Sequence, residues 1–318
     1  MPPFAETIVI VFALIALGYA AAAIRLIKEG TGDGLADFVF TVAIPLFLFR
    51  TIATAEFDHG PPFLLWAVYF ATVLATWTLG HVATRLIFGR DTRAGVVAGL
   101  TASFSNLAVL GIPFFIGIFG EPGFAILSQL LSVHLPIMMG ASILLFDWAL
   151  RRDGIATAPA SLRAMAGNFL RQLLSNPLIL GILAGVLVRV SGLSIPPIAD
   201  KVIASLGTVA GPVALFSMGI ALRGYGIRGQ IQSSLLLVLI KLAVMPAIAL
   251  SIAWLVGLPE LPAKVAVAAA SLPTGANPWL IATRFGTGQR LASTSMTIST
   301  AIAAISTGIW LFIADMVF

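Results

Sequence analysis

The chain has 318 residues, of which 59% are hydrophobic and only 10% charged, and its mean hydropathy is +1.05. A water-facing surface carries about 25% charged residues, so a soluble globular domain is excluded, and the apolar runs do not alternate as the strands of a membrane barrel would. The net charge of +5 comes without any basic stretch interleaved with aromatics, so no nucleic-acid partner is expected, and a chain with no cysteine has neither disulfides nor thiolate metal sites.

An all-α integral membrane fold follows, because a helix satisfies its own backbone polar groups inside lipid. About 20 helical residues cross a hydrocarbon core of about 30 Å. Ten such segments can be marked, near 5–24, 34–54, 62–88, 94–119, 122–149, 169–190, 197–222, 230–256, 262–285 and 289–316. The first carries Glu6 and no basic n-region, so it is read as a retained helix rather than a signal peptide. Polar or Pro/Gly breaks separate the segments, among them Lys28-Glu29-Gly30 and Asp58-His59-Gly60-Pro61.

The longest connection falls at the midpoint, around Arg151 to Arg163, and divides the chain into residues 1–150, a connection over 151–168, and residues 169–318. Basic residues are biased to one set of alternate loops: thirteen of the eighteen Lys and Arg lie there, four on the other side, and Lys241 lies inside a span. Acidic residues are spread almost evenly. By the positive-inside rule the midpoint connection is cytoplasmic and both termini are outside, with a bacterial inner membrane as the expected location.

The two halves echo one another. Leu35-Ala36-Asp37 and Pro45 of segment two match Ile198-Ala199-Asp200 and Pro212 of segment seven. In segment four, Ala102-Ser103-Phe104, Pro113 and Phe119-Gly120 match Ala270-Ser271-Leu272, Pro278 and Phe285-Gly286 of segment nine. The offsets cluster at roughly 163 to 168 residues, the signature of an internal repeat. Five segments is an odd number, so the second copy is inverted.

Segments four and nine carry the densest polar and helix-breaking residues: Ser103, Ser105, Asn106, Gly111 and Pro113 in the first, and Pro273, Thr274, Gly275, Asn277 and Pro278 in the second. Each proline removes a backbone donor and clashes with the preceding turn. Asn277-Pro278 reads as an N-cap followed by a first helical residue, the start of a second half-helix, and Asn106 could cap its counterpart. Two Pro-kinked but continuous helices are the alternative. Broken helices would present half-helix N-termini suited to a carboxylate.

With these residues the sequence resembles the auxin efflux carrier family, which includes plant auxin carriers and bacterial malate or malonate permease-like members. The match is carried by Ser105-Asn106-Leu107 through Gly111-Ile112-Pro113, by Asn176-Pro177, by Leu272-Pro273-Thr274-Gly275 with Pro278, and by the polar face from Ser293 to Thr300. The resemblance implies a ten-helix fold in which helices four and nine cross at their breaks. It further implies a scaffold of helices 1, 2, 6 and 7 beside a mobile transport domain of helices 3–5 and 8–10. The long cytoplasmic loop of the plant members is replaced here by the short midpoint connection.

The expected activity is secondary transport of a mono- or dicarboxylate by an elevator-type, alternating-access movement. The expected substrate-binding residues are Asn106, Ser105, Pro273, Thr274, Gly275, Asn277, His134 and Asn176, and the crossover is shaped by Gly111, Pro113, Pro278 and Lys241. Lys241 is read either as functional or as a structural donor to half-helix carbonyls, His134 as facing substrate or as packing, and Asn176 foremost as an N-cap. No acidic residue falls at mid-span, so sodium is a less favoured coupling ion than a proton. No cofactor, metal, Walker motif or catalytic triad is expected. A channel or a ligand-sensing receptor on the same scaffold is the competing reading, and the assembly state is open, a homodimer included.

Overall fold

The computed structural model describes residues 3–28, 30–54, 62–155, 162–225, 227 and 229–318. Glu29, the Asp58–Pro61 break, residues 156–161 of the midpoint connection and Arg228 lie outside the described residues. The described residues are mostly helical, and no strand occurs among them. In chain order the α-helices are α1 (Pro3–Ala23), α2 (Thr31–Phe38), α3 (Ile44–Thr54), α4 (Phe63–Phe88), α5 (Thr92–Ser103), α6 (Ile112–Arg152) and α7 (Leu162–Leu174). They continue with α8 (Pro177–Ser191), α9 (Pro197–Tyr225), α10 (Ile231–Leu239), α11 (Met245–Leu255), α12 (Glu260–Ser271), α13 (Asn277–Arg284) and α14 (Gln289–Val317).

Among the described residues, seven stretches are long and apolar enough to cross a membrane: Ala5–Ala23, Thr31–Thr54, Phe63–Phe88, Leu107–Arg152, Pro197–Gly224, Ile231–Leu255 and Gln289–Val317. The sequence marks ten segments, and the difference has identifiable causes. Leu107–Arg152 joins the second half of segment four to segment five through Gly120, in a backbone conformation (φ 63°, ψ −160°) that no helix interior adopts and that suits glycine, while the first half of segment four is α5, too short to count alone. Segment nine is split into α12 and α13, each too short to count alone. Segment six differs from its expected course. It is not one helix over 169–190, because Asn176 takes an extended conformation and its side chain accepts the Leu178 N–H at 3.0 Å, with Pro177 opening α8. The residues before it form the separate, amphipathic α7.

Three π-helical turns, Val39–Ala43, Leu107–Gly111 and Ile240–Val244, share a local cause. Each ends two residues before a proline, namely Pro45, Pro113 and Pro246. A proline cannot donate to the carbonyl four residues back, and its ring crowds that carbonyl; one wider turn relieves the crowding. At Pro246 the abandoned acceptor is the Leu242 carbonyl. It is satisfied from α14, where the Ser306 hydroxyl and the Trp310 indole N–H each donate to it at 2.8 Å.

The chain divides into two compact units. The first comprises Met1–Gly60, Ala108–Val133 and Ala166–Gly224. Within it α1 and α9 approach backbone to backbone: a Cβ at Gly18 would overlap the Phe216 carbonyl oxygen, and one at Gly219 would overlap that of Ile15. Small residues at such contacts are how helices pack where lipid removes the hydrophobic drive. Arg50 of α3 holds Asp200 of α9 through two hydrogen bonds, Nε to Oδ1 at 2.6 Å and a terminal nitrogen to Oδ2 at 3.1 Å.

The second unit comprises Pro61–Leu107, His134–Met165 and Tyr225–Phe318. Its core includes Ala98 and Ala102 of α5, Leu237 and Ile240 around α10, and Leu291 of α14. The N-terminus of α5 is held by two carboxylates. Asp91 caps it by accepting the Ala94 N–H at 2.8 Å, and Asp153 accepts the N–H groups of Thr92 and Arg93, both at 3.0 Å. Negative charge at these unpaired donors is favourable. Burial pushes the Asp153 carboxyl up, but the hydrogen bonds from Thr92 and Arg93 outweigh it and hold it below the ordinary carboxylate value.

Candidate functional site

The polar centre of the second unit is built where α5 and α12 stop. The helix α5 ends at Ser103, and Phe104 turns to an extended conformation (φ −85°, ψ 95°). The helix α12 ends at Ser271, and Leu272 is likewise extended (φ −61°, ψ 149°) because the residue before a proline avoids the helical region. The two extended stretches pair antiparallel. The Asn106 N–H donates to the Pro273 carbonyl and the Gly275 N–H to the Phe104 carbonyl, each at 3.0 Å, on either side of the Ser105–Thr274 pair. Segments four and nine are therefore interrupted rather than merely kinked, and their interruptions bind one another.

Each helix end leaves carbonyls that need donors. The Thr274 hydroxyl donates to the Thr101 carbonyl of α5 at 2.8 Å, and the Thr274 N–H donates to Ser299 Oγ of α14 at 3.2 Å. The Thr307 hydroxyl of α14 donates to the Ser271 carbonyl of α12 at 3.0 Å. Lys241, in the π-helical turn of Ile240–Val244, extends its amine to the Ala270 carbonyl at 2.6 Å, Ser105 Oγ at 2.9 Å and Met245 Sδ at 3.1 Å. Lys241 is fully buried, and it is the one formally charged side chain among the buried described residues; no Asp, Glu or Arg accompanies it.

The structure thus brings Ser105, Asn106, Pro273, Thr274, Gly275 and Lys241 to one place. Asn106 is 7% exposed, where the extended stretch passes into the turn of Leu107–Gly111. Pro278 is buried and Asn277 half-buried at the start of α13. The expected N-cap at Asn277 is displaced by one residue: the cap is Ala276, without a side-chain hydrogen bond, and Asn277 is the first helical residue. His134 lies edge-on to Phe104, with ring centres 4.7 Å apart, and to Tyr69 at 5.6 Å. It is buried, and neither ring nitrogen has a hydrogen-bond partner. Gly111, Pro113 and Asn176 belong to the first unit, where Pro113 follows its π-helical turn and Asn176 caps α8.

Sequence reasoning missed Tyr69. Its phenol is fully buried beside the Ser105 hydroxyl, without a hydrogen bond of ordinary geometry. Ser295 and Thr300, on the polar face of α14, are also buried with unsatisfied hydroxyls. The available signal was a single tyrosine within the Phe63–Phe88 span. The first unit contains a cavity of about 870 Å³ with mainly apolar walls, into which Arg50, Thr51, Thr54, Glu121 and Thr208 contribute polar groups.

Comparison with known proteins shows the family. Residues 3–311 match the family model described as membrane transport protein. An uncharacterized transporter of Methanocaldococcus jannaschii is 24% identical over 96% of this chain and 97% of its own. A Rhizobium meliloti protein named "Putative malonate transporter" is 27% identical over 92% of this chain and 90% of its own. Auxin efflux carrier component 8 of Arabidopsis thaliana is 24% identical over 94% of both. With several helices of membrane-spanning length and a family match over nearly its whole extent, the chain is an integral membrane protein and belongs to the membrane transport protein family, that of the auxin efflux carriers.

Proposed function

We propose that the chain is a secondary carrier of small organic anions, mono- or dicarboxylates, which bind at the paired interruptions of segments four and nine. The observation that supports this reading is electrostatic. The buried described residues of the second unit include an amine at Lys241 and no carboxylate. A low-dielectric site whose one lysine among the described residues lacks a counter-charge favours an anion and disfavours a metal cation. Asn106 supplies an amide, Ser105 and Gly275 supply the adjoining wall, and the first turn of α13 at Asn277 turns its positive dipole end toward the break. Thr274 and Pro273 set the geometry, since the Thr274 hydroxyl is engaged by α5. His134 approaches from the Phe104 side.

In this reading the chain crosses the membrane ten times as two inverted five-segment halves. Segments 1, 2, 6 and 7 form a scaffold, and segments 3–5 and 8–10 carry the site across in an elevator-type movement. Both termini are outside and the midpoint connection is cytoplasmic, in the inner membrane, as the basic bias requires. The names of the relatives add malonate and auxin as candidate substrate types.

Reconstituted flux tests the proposal. Proteoliposomes should take up labelled malonate, malate or indole-3-acetate with saturation, and unlabelled internal substrate should accelerate uptake by counterflow. Flux that rises linearly with concentration and shows no counterflow would identify a channel instead.

A further inference from the structure

The surroundings of Lys241 carry a second consequence, which rests on the carboxylate reading above. The charged groups of the elements packed around it are remote from its amine. Lys264 of α12 pairs with Glu260 and with Asp315 of α14, Arg85 and His81 of α4 lie against Gly95 at the opposite end of α5, Arg93 binds Asp153, and Arg290 stands in the first turn of α14. None of them is a hydrogen-bond partner of Lys241. The titratable groups that do face it are His134 of α6 and, through Ser105, Tyr69 of α4. All three of its hydrogen-bonding neighbours are neutral.

Those three neighbours suit either protonation state. An ammonium has three N–H donors, one each for Ser105 Oγ, the Ala270 carbonyl and Met245 Sδ. A neutral amine has two, which serve Ala270 and Met245, while its lone pair accepts from the Ser105 hydroxyl once that hydroxyl rotates. Rotation of one hydroxyl therefore lets all three contacts of the amine persist in either state. What the ammonium lacks is a counter-ion. Ser105, the residue before Asn106, touches the amine at 2.9 Å, and no buried carboxylate is present among the described residues, so a carboxylate bound beside Ser105 and Asn106 would be the nearest negative charge to Lys241.

We propose that Lys241 takes up a proton when the anion binds, so that the carrier moves each carboxylate together with one proton. The proton comes from the solvent and bonds to the Nζ lone pair, and no bond in the protein or the substrate breaks. On release of the anion the buried charge loses its partner and the proton leaves. A monocarboxylate then crosses without net charge, and a doubly ionised dicarboxylate carries one negative charge.

Isothermal titration of the purified full chain with malonate and with indole-3-acetate tests this directly. Runs in PIPES and in Tris, whose ionisation heats differ, count the protons bound with the anion. The wild type should take up close to one proton per anion where the uptake is greatest across the pH range scanned. Lys241→Arg, whose charge is permanent, should bind the anion with almost no proton uptake. Anion binding by the wild type with no buffer dependence of its heat would overturn the proton linkage and leave the carboxylate site standing. The same uptake in Lys241→Arg as in wild type would overturn the assignment to Lys241. Failure of every carboxylate to bind would remove the anion site and this inference with it.

Discussion

Thr274→Val isolates the interaction that ties the two interruptions together. The substitution keeps shape and volume but deletes the hydroxyl that donates to the Thr101 carbonyl at 2.8 Å. Thr274 is 1% exposed, so water cannot take the place of the lost donor. The carbonyl has no donor in its own helix either, since α5 ends at Ser103 and the chain turns extended at Phe104. An acceptor left unsatisfied in a buried site costs about 1–3 kcal/mol. Thr274→Ser retains the hydrogen bond and loses one methyl group, worth about 0.8 kcal/mol. Thermal or denaturant unfolding in a fixed detergent should therefore rank wild type above Ser and Ser above Val. Transport should follow the same order, because the Thr274 N–H and its neighbours Pro273 and Gly275 frame the site. A Val variant as stable as the Ser variant would show that the hydroxyl does not hold the break, and the argument for a hydrogen-bonded crossover would fail.

Gly18→Ala should destabilise the first unit by about 1–3 kcal/mol, because the added Cβ meets the Phe216 backbone carbonyl rather than a side chain that can yield; Gly34→Ala, which meets nothing, is the control. Asp153 has a lowered folded-state pKa, so the stability it contributes is present above the ordinary carboxylate value of about 4 and is lost as pH falls through the lowered value. The difference in unfolding midpoint between wild type and Asp153→Asn should accordingly be full near neutrality and shrink in acid; a difference independent of pH would count against the carboxylate's role at α5. For topology, the absence of native cysteine permits single-cysteine labelling without background. Thr157→Cys should react from the cytoplasmic side and Asp58→Cys from outside, both positions lying outside the described residues, and reversed labelling would invert the orientation.

The parts of this architecture that were legible in sequence were those with a local cause. Prolines at 273 and 278 end one helix and begin another within a few residues, and Asn176-Pro177 is a cap by composition alone. The donation from Lys241 to a half-helix carbonyl also follows locally, since a mid-span amine must find acceptors. What was not legible depends on partners distant in the chain. Thr274 pairs with Thr101 across 173 residues, and Arg50 with Asp200 across 150; no periodicity encodes either. The expected start of α13, with Asn277 as its cap, lies one residue late because capping propensity fixes a helix start only within a residue or so. The π-helical turns escaped notice because a proline inside an apolar run announces a disturbance without saying whether the helix kinks, breaks or widens.

Binding of malonate and indole-3-acetate to wild type, Asn106→Ala and Asn106→Asp tests the anion site most directly. Asn106→Ala removes an amide donor to a charged acceptor, worth about 1.5–3 kcal/mol, and should weaken binding roughly ten- to a hundredfold. Asn106→Asp preserves shape and sets a carboxylate against the substrate; at about 4 Å and an effective dielectric near 20 the repulsion is about 4 kcal/mol, close to a thousandfold. With unfolding midpoints matched across the three proteins, affinity should fall from wild type to Ala to Asp. A well-folded Asn106→Asp protein that binds either carboxylate as tightly as wild type would contradict the placement of the anion at the paired interruptions.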